Sequence, residues 1–363
     1  MKYLSEYRNL EATKKYLDEI HKITTSVWNI MEICGGQTHS LVKNGILELL
    51  PEKVRMIHGP GCPVCVTPLH LIDKAIELLE QGIIVCSFGD MIRVPGSKKS
   101  LLEAKANGGD LRILYSPIEA VSIAKQNPDK EVVFFAVGFE TTAPANALSV
   151  LHAEKEGITN YSILTSHVLV PPAMEAILDD ELCTIDAFLG AGHVCAIMGM
   201  KEYYPLVEKY KIPIVVTGFE PLDLVQGIYM AVKQLEEGNY ELENQYARVV
   251  KEEGNIPAIK VIHQVFEIGN REWRGIGEIP NSGYVIKEAY KKYDAEVKFN
   301  ISNIKVLENS ACIAGEILRG IKKPYQCSQF AKVCKPSNPL GAPMVSSEGA
   351  CAAYYHFSNN LID

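Results

Sequence analysis

The residues in this sequence best suited to chemistry are cysteines set beside glycines and prolines. Cys34 is followed by Gly35-Gly36-Gln37-Thr38-His39. A thiol on so tight a turn meets exposed backbone N–H groups and the positive end of any helix that follows, and both favour the metal-binding thiolate. His39 is the imidazole candidate beside it. Cys62-Pro63-Val64-Cys65 places two thiols at a spacing that closes a disulfide or holds half of a metal site. No second C-x-x-C completes a zinc ribbon, so a redox dithiol is the leading reading. Cys312, Cys327, Cys334 and Cys351 are spread over a segment broken by Pro324, Pro336, Pro339 and Pro343. Four thiolates on irregular backbone suit either a four-thiolate zinc site or a [4Fe-4S] cluster, and spacing alone leaves both open. Glu140, in Gly138-Phe139-Glu140-Thr141-Thr142, is placed to orient His39 or handle a proton, with helix capping as the plainer role. Cys86, Cys183 and Cys195 read as core residues.

These residues need a scaffold, and the apolar pattern supplies one. Trp28 to Ile33, Val54 to Ile57, Ile83 to Phe88, Leu111 to Tyr115 and Val132 to Val137 are short apolar runs separated by amphipathic stretches. They read as parallel strands buried on both faces. A second series follows at Tyr161 to Thr165, Ala187 to Leu189 and Ile212 to Thr217. Gly138-Phe139-Glu140 after one run is echoed by Gly218-Phe219-Glu220 after another, which suggests two similar parallel-sheet α/β domains around a cleft. The expected division is an N-terminal helix over 1–25 packing on the C-terminal region, α/β domains over 26–150 and 151–240, and a cysteine-bearing region over 241–363. A charged helix is expected over Leu235 to Glu253, followed by a loop-rich segment with Gly, Pro and spaced cysteines. The thiol loops and Glu140 fall at strand ends, where parallel sheets bind ligands. His193 and His167 are further candidates to face that crevice, each with a structural histidine as the plainer reading.

Composition narrows the function. Over 363 residues the formal net charge is −8, which argues against gripping phosphate backbones and so against a nucleic-acid partner. No apolar run approaches the roughly 18 residues of a membrane span, and the charged first twenty residues do not resemble a signal peptide. Ten cysteines without such a signal point to a reducing, cytoplasmic setting. There is no Walker A loop, and Gly190-Ala191-Gly192-His193 imitates only half of a dinucleotide fingerprint, so ATP or NAD use finds no support.

At these motifs the chain resembles the HypD family of hydrogenase maturation factors, over essentially its full length. The carriers are the Cys34 and Cys62/Cys65 motifs, Ser87-Phe88-Gly89-Asp90, Arg93-Val94-Pro95-Gly96, Gly138 to Thr142, Gly192-His193-Val194 and Met344 to Cys351. The resemblance implies two similar α/β domains around a cleft plus a smaller iron–sulfur region, with Cys312, Cys327, Cys334 and Cys351 holding a [4Fe-4S] cluster. It implies that Cys34 binds Fe(II) that receives cyanide and carbonyl ligands, the Fe(CN)2CO unit of nickel–iron hydrogenase, while Cys62 and Cys65 act as a thiol–disulfide couple. The implied partners are a HypC-type small chaperone, a HypE-type cyanide donor and, indirectly, the hydrogenase large subunit. Two positions depart from the family pattern: Gln37 stands where a histidine is usual, and Cys195 where a serine is common. The competing functions are a stand-alone thiol–disulfide oxidoreductase and a structural zinc adaptor.

Overall fold

The computed structural model describes residues 9–301, 306 and 310–358. Two all-parallel sheets form its frame. One has the order β2-β1-β7-β8-β9, from β1 (Trp28–Glu32), β2 (Val54–His58), β7 (Ala187–Ala191), β8 (Ile214–Thr217) and β9 (Leu242–Asn244). The other has the order β4-β3-β5-β6, from β3 (Ile84–Ser87), β4 (Leu111–Ile113), β5 (Val132–Gly138) and β6 (Tyr161–His167). The continuous apolar runs are explained by burial on both faces. In β5, Val132, Phe134 and Ala136 enter one core while Val133, Phe135 and Val137 enter the opposite one, the two-residue alternation of a pleated strand.

The chain does not divide at residue 150 as the order of runs suggested. That boundary would separate β5 from β6, which pair from Val132–Tyr161 to Gly138–His167. The polypeptide instead starts the first sheet with β1 and β2, builds the whole second sheet, and returns to finish the first with β7, β8 and β9. The two Gly-Phe-Glu echoes still end strands of different sheets, β5 and β8.

Three other expectations are corrected. Helix α1 (Leu10–Ile23), capped by Asn9, packs on the helix Pro221–Glu237 of the first sheet rather than on the C-terminal region. Tyr16 meets Tyr229 there, and the Glu236 carboxylate accepts from the N–H groups of Thr25 and Ser26 and from Trp28 Nε1. The segment expected as a helix over Leu235 to Glu253 closes that helix at Gly238, left-handed at φ 69°, and then forms β9. A long antiparallel hairpin, β10 (Phe266–Trp273) and β11 (Gly277–Ile286), occupies a stretch read as loop-rich. It leans on the end of β6 through a Val168–Gly283 bridge. Among the described residues no helix is long and apolar enough to cross a membrane.

The ends of both sheets meet in one core. Met31 of β1, Ile33 and Cys34 after it, Cys62 and Cys65 after β2, Phe139 after β5, Val168 after β6, Val194 and Cys195 after β7, and Trp273 of the hairpin belong to a single buried cluster. The tail folds over α2 (Gly35–Lys43), where Val42 packs with Phe330, Cys334, Met344, Ala353 and Tyr354.

Candidate functional site

Cys34 is the residue before α2, in extended conformation, and is only 1% exposed. Its backbone sits against the second thiol loop: Gly35 N–H donates to Gly61 O at 2.9 Å, and Gly59 N–H donates to Glu32 O at 2.9 Å. A Cβ at Gly61 would collide with the Cys34 backbone, so glycine is required by close approach rather than by an unusual φ. Burial, with the Glu348 and Glu32 carboxyls adding to it, pushes the Cys34 thiol far above its ordinary range. The resting group is therefore a neutral thiol, and a cation arriving at Sγ would reverse that preference.

The imidazole beside Cys34 comes from His193, not His39. His193 Nδ1 and Nε2 lie 3.7 and 3.8 Å from Cys34 Sγ, and its ring stacks on Phe219 at 5.2 Å. Burial lowers its pKa to about 4, leaving a neutral ring with a lone pair. His39 lies around α2, with Nδ1 3.0 Å from Ser347 O and its ring edge-on to Phe357. Gln37 is fully buried and donates through Nε2 to Gly190 O at 3.0 Å and Thr217 Oγ1 at 2.7 Å. It clamps α2 to the ends of β7 and β8. His167 proves a core residue, 2.8 Å from Asn146 Nδ2.

Cys62 and Cys65 are joined as a disulfide, with Cα atoms 5.2 Å apart, and are 3% and 0% exposed. Cys62 caps the short helix Pro63–Val66, and Val66 O accepts from Arg274 N–H of the hairpin at 2.8 Å. Glu140 reaches neither His39 nor the helix that follows it. It accepts from Val170 N–H at 2.8 Å, at the start of the helix after β6. Burial, with a smaller push from Glu202, raises its pKa to about 8. Cys195 lies within electrostatic reach of Glu140 and is itself raised to about 12 by burial.

Sequence reasoning missed the polar group under Cys34. Glu32 accepts from Cys34 N–H at 3.0 Å and from the Thr38 hydroxyl, and lies 2.7 Å from His58 Nδ1. His58 Nε2 is 3.0 Å from the Tyr354 hydroxyl. Burial raises the Glu32 carboxyl and lowers the His58 ring. The available signal was that Glu32 and His58 each place an ionisable group at a strand end, directly after the apolar pairs Ile30-Met31 and Met56-Ile57.

Cys312, Cys327, Cys334 and Cys351 line one small pocket with Ile313, Ile317, Phe330, Leu340, Pro343 and Met344. Burial comes first in raising Cys312, Cys334 and Cys351, and neighbouring cysteines of the set raise them further. A Cβ at Gly341, which lines this pocket, would press on Cys312 Sγ. Among the described residues no three His, Cys, Asp or Glu side chains converge closely enough to hold a single ion.

Two parallel sheets that bring a buried thiol, an imidazole and a C-x-x-C disulfide together at their ends, beside a pocket of four cysteines, define an α/β protein with clustered cysteines. Comparison with known proteins identifies which. A family model described as "HypD: Hydrogenase formation hypA family" matches residues 11–358. Hydrogenase maturation factor HypD2 of Bradyrhizobium diazoefficiens is 47% identical over 98% of this chain and 97% of its own length. The HypD of Azotobacter vinelandii is 47% identical with the same coverage. A putative hydrogenase expression/formation protein of Methanocaldococcus jannaschii is 45% identical over 95% of this chain and 96% of its own. The chain belongs to the HypD family, and its place is in hydrogenase maturation.

Two predictions follow from this geometry. Gly61→Ala is expected to lower stability by about 2–3 kcal/mol, read as a fall in the urea midpoint, because the new methyl meets Cys34 backbone. Glu140, whose folded pKa is above its unfolded value, contributes stability that is present below pH 4.5 and lost as pH rises through about 8. Glu140→Gln keeps an acceptor for Val170 N–H and removes that dependence. Its stability relative to the native chain should rise by about 1 kcal/mol per pH unit between pH 5 and pH 8, and a difference constant over that window would refute the buried-acid assignment.

Proposed function

We propose that the chain is the scaffold and thiol-redox protein on which the Fe(CN)2CO unit is assembled, working in the cytoplasm with a HypC-type chaperone and a HypE-type cyanide donor. The observation that carries this reading is Cys34 Sγ, within 3.7–3.8 Å of a neutral imidazole and in the same buried core as Cys62 and Cys65. Iron entering as substrate replaces the Cys34 proton, and His193 is the nearest ring nitrogen to accept it or to face the metal. Phe219, stacked on His193, and the apolar wall keep water from the thiol. The Cys62–Cys65 couple takes up two electrons and two protons when its S–S bond opens to two thiols. Glu140, held protonated near neutrality, is a proton reserve in the same core.

The four late cysteines fit a [4Fe-4S] cluster. Their thiols share one apolar pocket whose room depends on Gly341, and their mutual electrostatic penalty is relieved by a cationic core. Such a cluster supplies one-electron chemistry when bound. A zinc adaptor is less well supported, because tetrahedral Zn2+ needs four sulfurs at about 2.3 Å from one point, and no three ligands approach that arrangement among the described residues. A general thiol oxidoreductase is also less well supported: an attacking sulfur must be accessible, and Cys62 and Cys65 are nearly sealed.

The test is an infrared spectrum of protein purified without oxygen together with its co-expressed small chaperone, with iron and sulfide measured in parallel. Metal-bound cyanide and carbonyl stretches are expected. Cys34→Ala should abolish those bands and retain sulfide, whereas Cys327→Ala should lose sulfide and lower stability. His193→Ala should weaken the bands more than His39→Ala. Undiminished bands in Cys34→Ala would overturn the reading.

A further inference from the structure

The Cys34 loop is tied to the tail by a chain of buried polar contacts that iron assembly, as described, does not use. Cys34 N–H donates to Glu32 Oε2, and Glu32 Oε1 is 2.7 Å from His58 Nδ1. On the other edge of the ring, His58 Nε2 is 3.0 Å from the Tyr354 hydroxyl. With Nδ1–H donating to the carboxylate, Nε2 is left as the acceptor for the Tyr354 O–H, so one tautomer satisfies both contacts. Tyr354 stands three residues beyond Cys351 on the helix Ala350–Phe357. Glu32 and His58 are register partners on β1 and β2, so the adjacent strands place the first link without a loop. Glu32, His58 and Tyr354 are 0%, 3% and 5% exposed, so a broken link leaves a buried group unpaired instead of exchanging it for water.

The tail also touches this loop directly. A methyl placed on Gly35 would lie 2.6 Å from Glu348 Cβ and Glu348 O, and Ser347 O holds His39. These contacts set the tail on the first turn of α2, and the histidine bridge sets it on the strand beneath.

We propose that His58 is a positioning residue: by joining Glu32 to Tyr354 it makes the seat of the Cys34 backbone depend on the seat of the helix that carries Cys351. The functional meaning rests on the roles assigned above to Cys34 and the four-cysteine pocket, whereas the coupling itself is readable without iron. Losing the Tyr354 hydroxyl leaves His58 Nε2 without a donor, loosens the carboxylate, and frees the Cys34 N–H. Because Cys34 is buried, its reaction with a small alkylating agent reports how often this segment opens.

The experiment uses the full chain, expressed without the small chaperone and purified without oxygen. It is pulsed with iodoacetamide, and each cysteine is read by peptide mass spectrometry. Cys183, a free and half-buried thiol, is the internal reference. Tyr354→Phe keeps the ring packing and removes only the hydroxyl. It is expected to raise Cys34 alkylation about fivefold, the factor equivalent to about 1 kcal/mol of lost hydrogen bonding, with Cys183 unchanged. His58→Gln is expected to do the same, and the double variant to react no faster than the faster single. An unchanged Cys34 rate in Tyr354→Phe, an equal rise at Cys183, or multiplying effects in the double variant would each overturn the proposal. Failure of the infrared test with success here would leave the coupling intact and remove only its role in iron assembly.

Discussion

At the end of β1 the Glu32 carboxyl is wholly buried, so every one of its partners must come from the protein. A carboxyl removed from water costs several kcal/mol unless hydrogen bonds replace the lost solvation. Three donors do so here: the Cys34 amide, the Thr38 hydroxyl and the His58 ring. Each constrains a different piece of chain. The amide fixes where the thiol leaves the strand, the hydroxyl fixes the first turn of α2, and the ring fixes β2 at the point where it gives way to the second thiol loop. Lys323, which donates to Met56 O of β2, adds a positive charge within reach of Glu32 and brings the start of the tail to the same place.

Close backbone approach completes what the carboxyl begins. Gly59 and Gly61 let the second thiol loop lie on the first, since a side chain at either position would meet β1 or Cys34. Gly35 does the same for the tail. Thiols from β1 and β2 thus enter one core although they leave from adjacent strands, and β5 and β6 bring Phe139 and Val168 to the same core. Burial is the common cause of the perturbed acidities: Cys34 and Cys195 are raised, Glu140 is raised, and His193 is lowered. All four are held neutral near pH 7, so none of them brings a charge that the core must balance.

Much of this was legible in the sequence, and the exceptions have physical reasons. Eight apolar runs became eight parallel strands because burial on both faces leaves a continuous signal. Their assignment to sheets was not legible, because periodicity records that a strand is buried and not which neighbour it pairs with. The hairpin was missed because buried and exposed residues are mixed along it without a continuous run: Glu267, Ile268, Glu272 and Glu278 face water while Phe266, Trp273 and Tyr284 are buried. The choice of His39 over His193 came from sequence proximity. Five residues along a helix turn the side chain by about 140° relative to Cys34, which carries His39 to the tail, while His193 arrives from β7, the strand on the other side of β1.

Gln37 bears on how far one side chain in the thiol motif can vary. Three residues after Cys34, it lies about 60° round the helix and faces inward, where it meets the carbonyl of Gly190 and the hydroxyl of Thr217. What this position requires is a donor that joins α2 to the ends of β7 and β8, and an amide N–H meets that need as an imidazole N–H would. The amide Oε1 is a buried acceptor without a protein partner, and the second nitrogen of a neutral imidazole would likewise be an acceptor. Either side chain presents a donor and an acceptor to the strand ends. With Gln37 in place the thiol, the His193 ring and the Glu32 carboxyl make the contacts described above, so their arrangement does not require an imidazole at position 37.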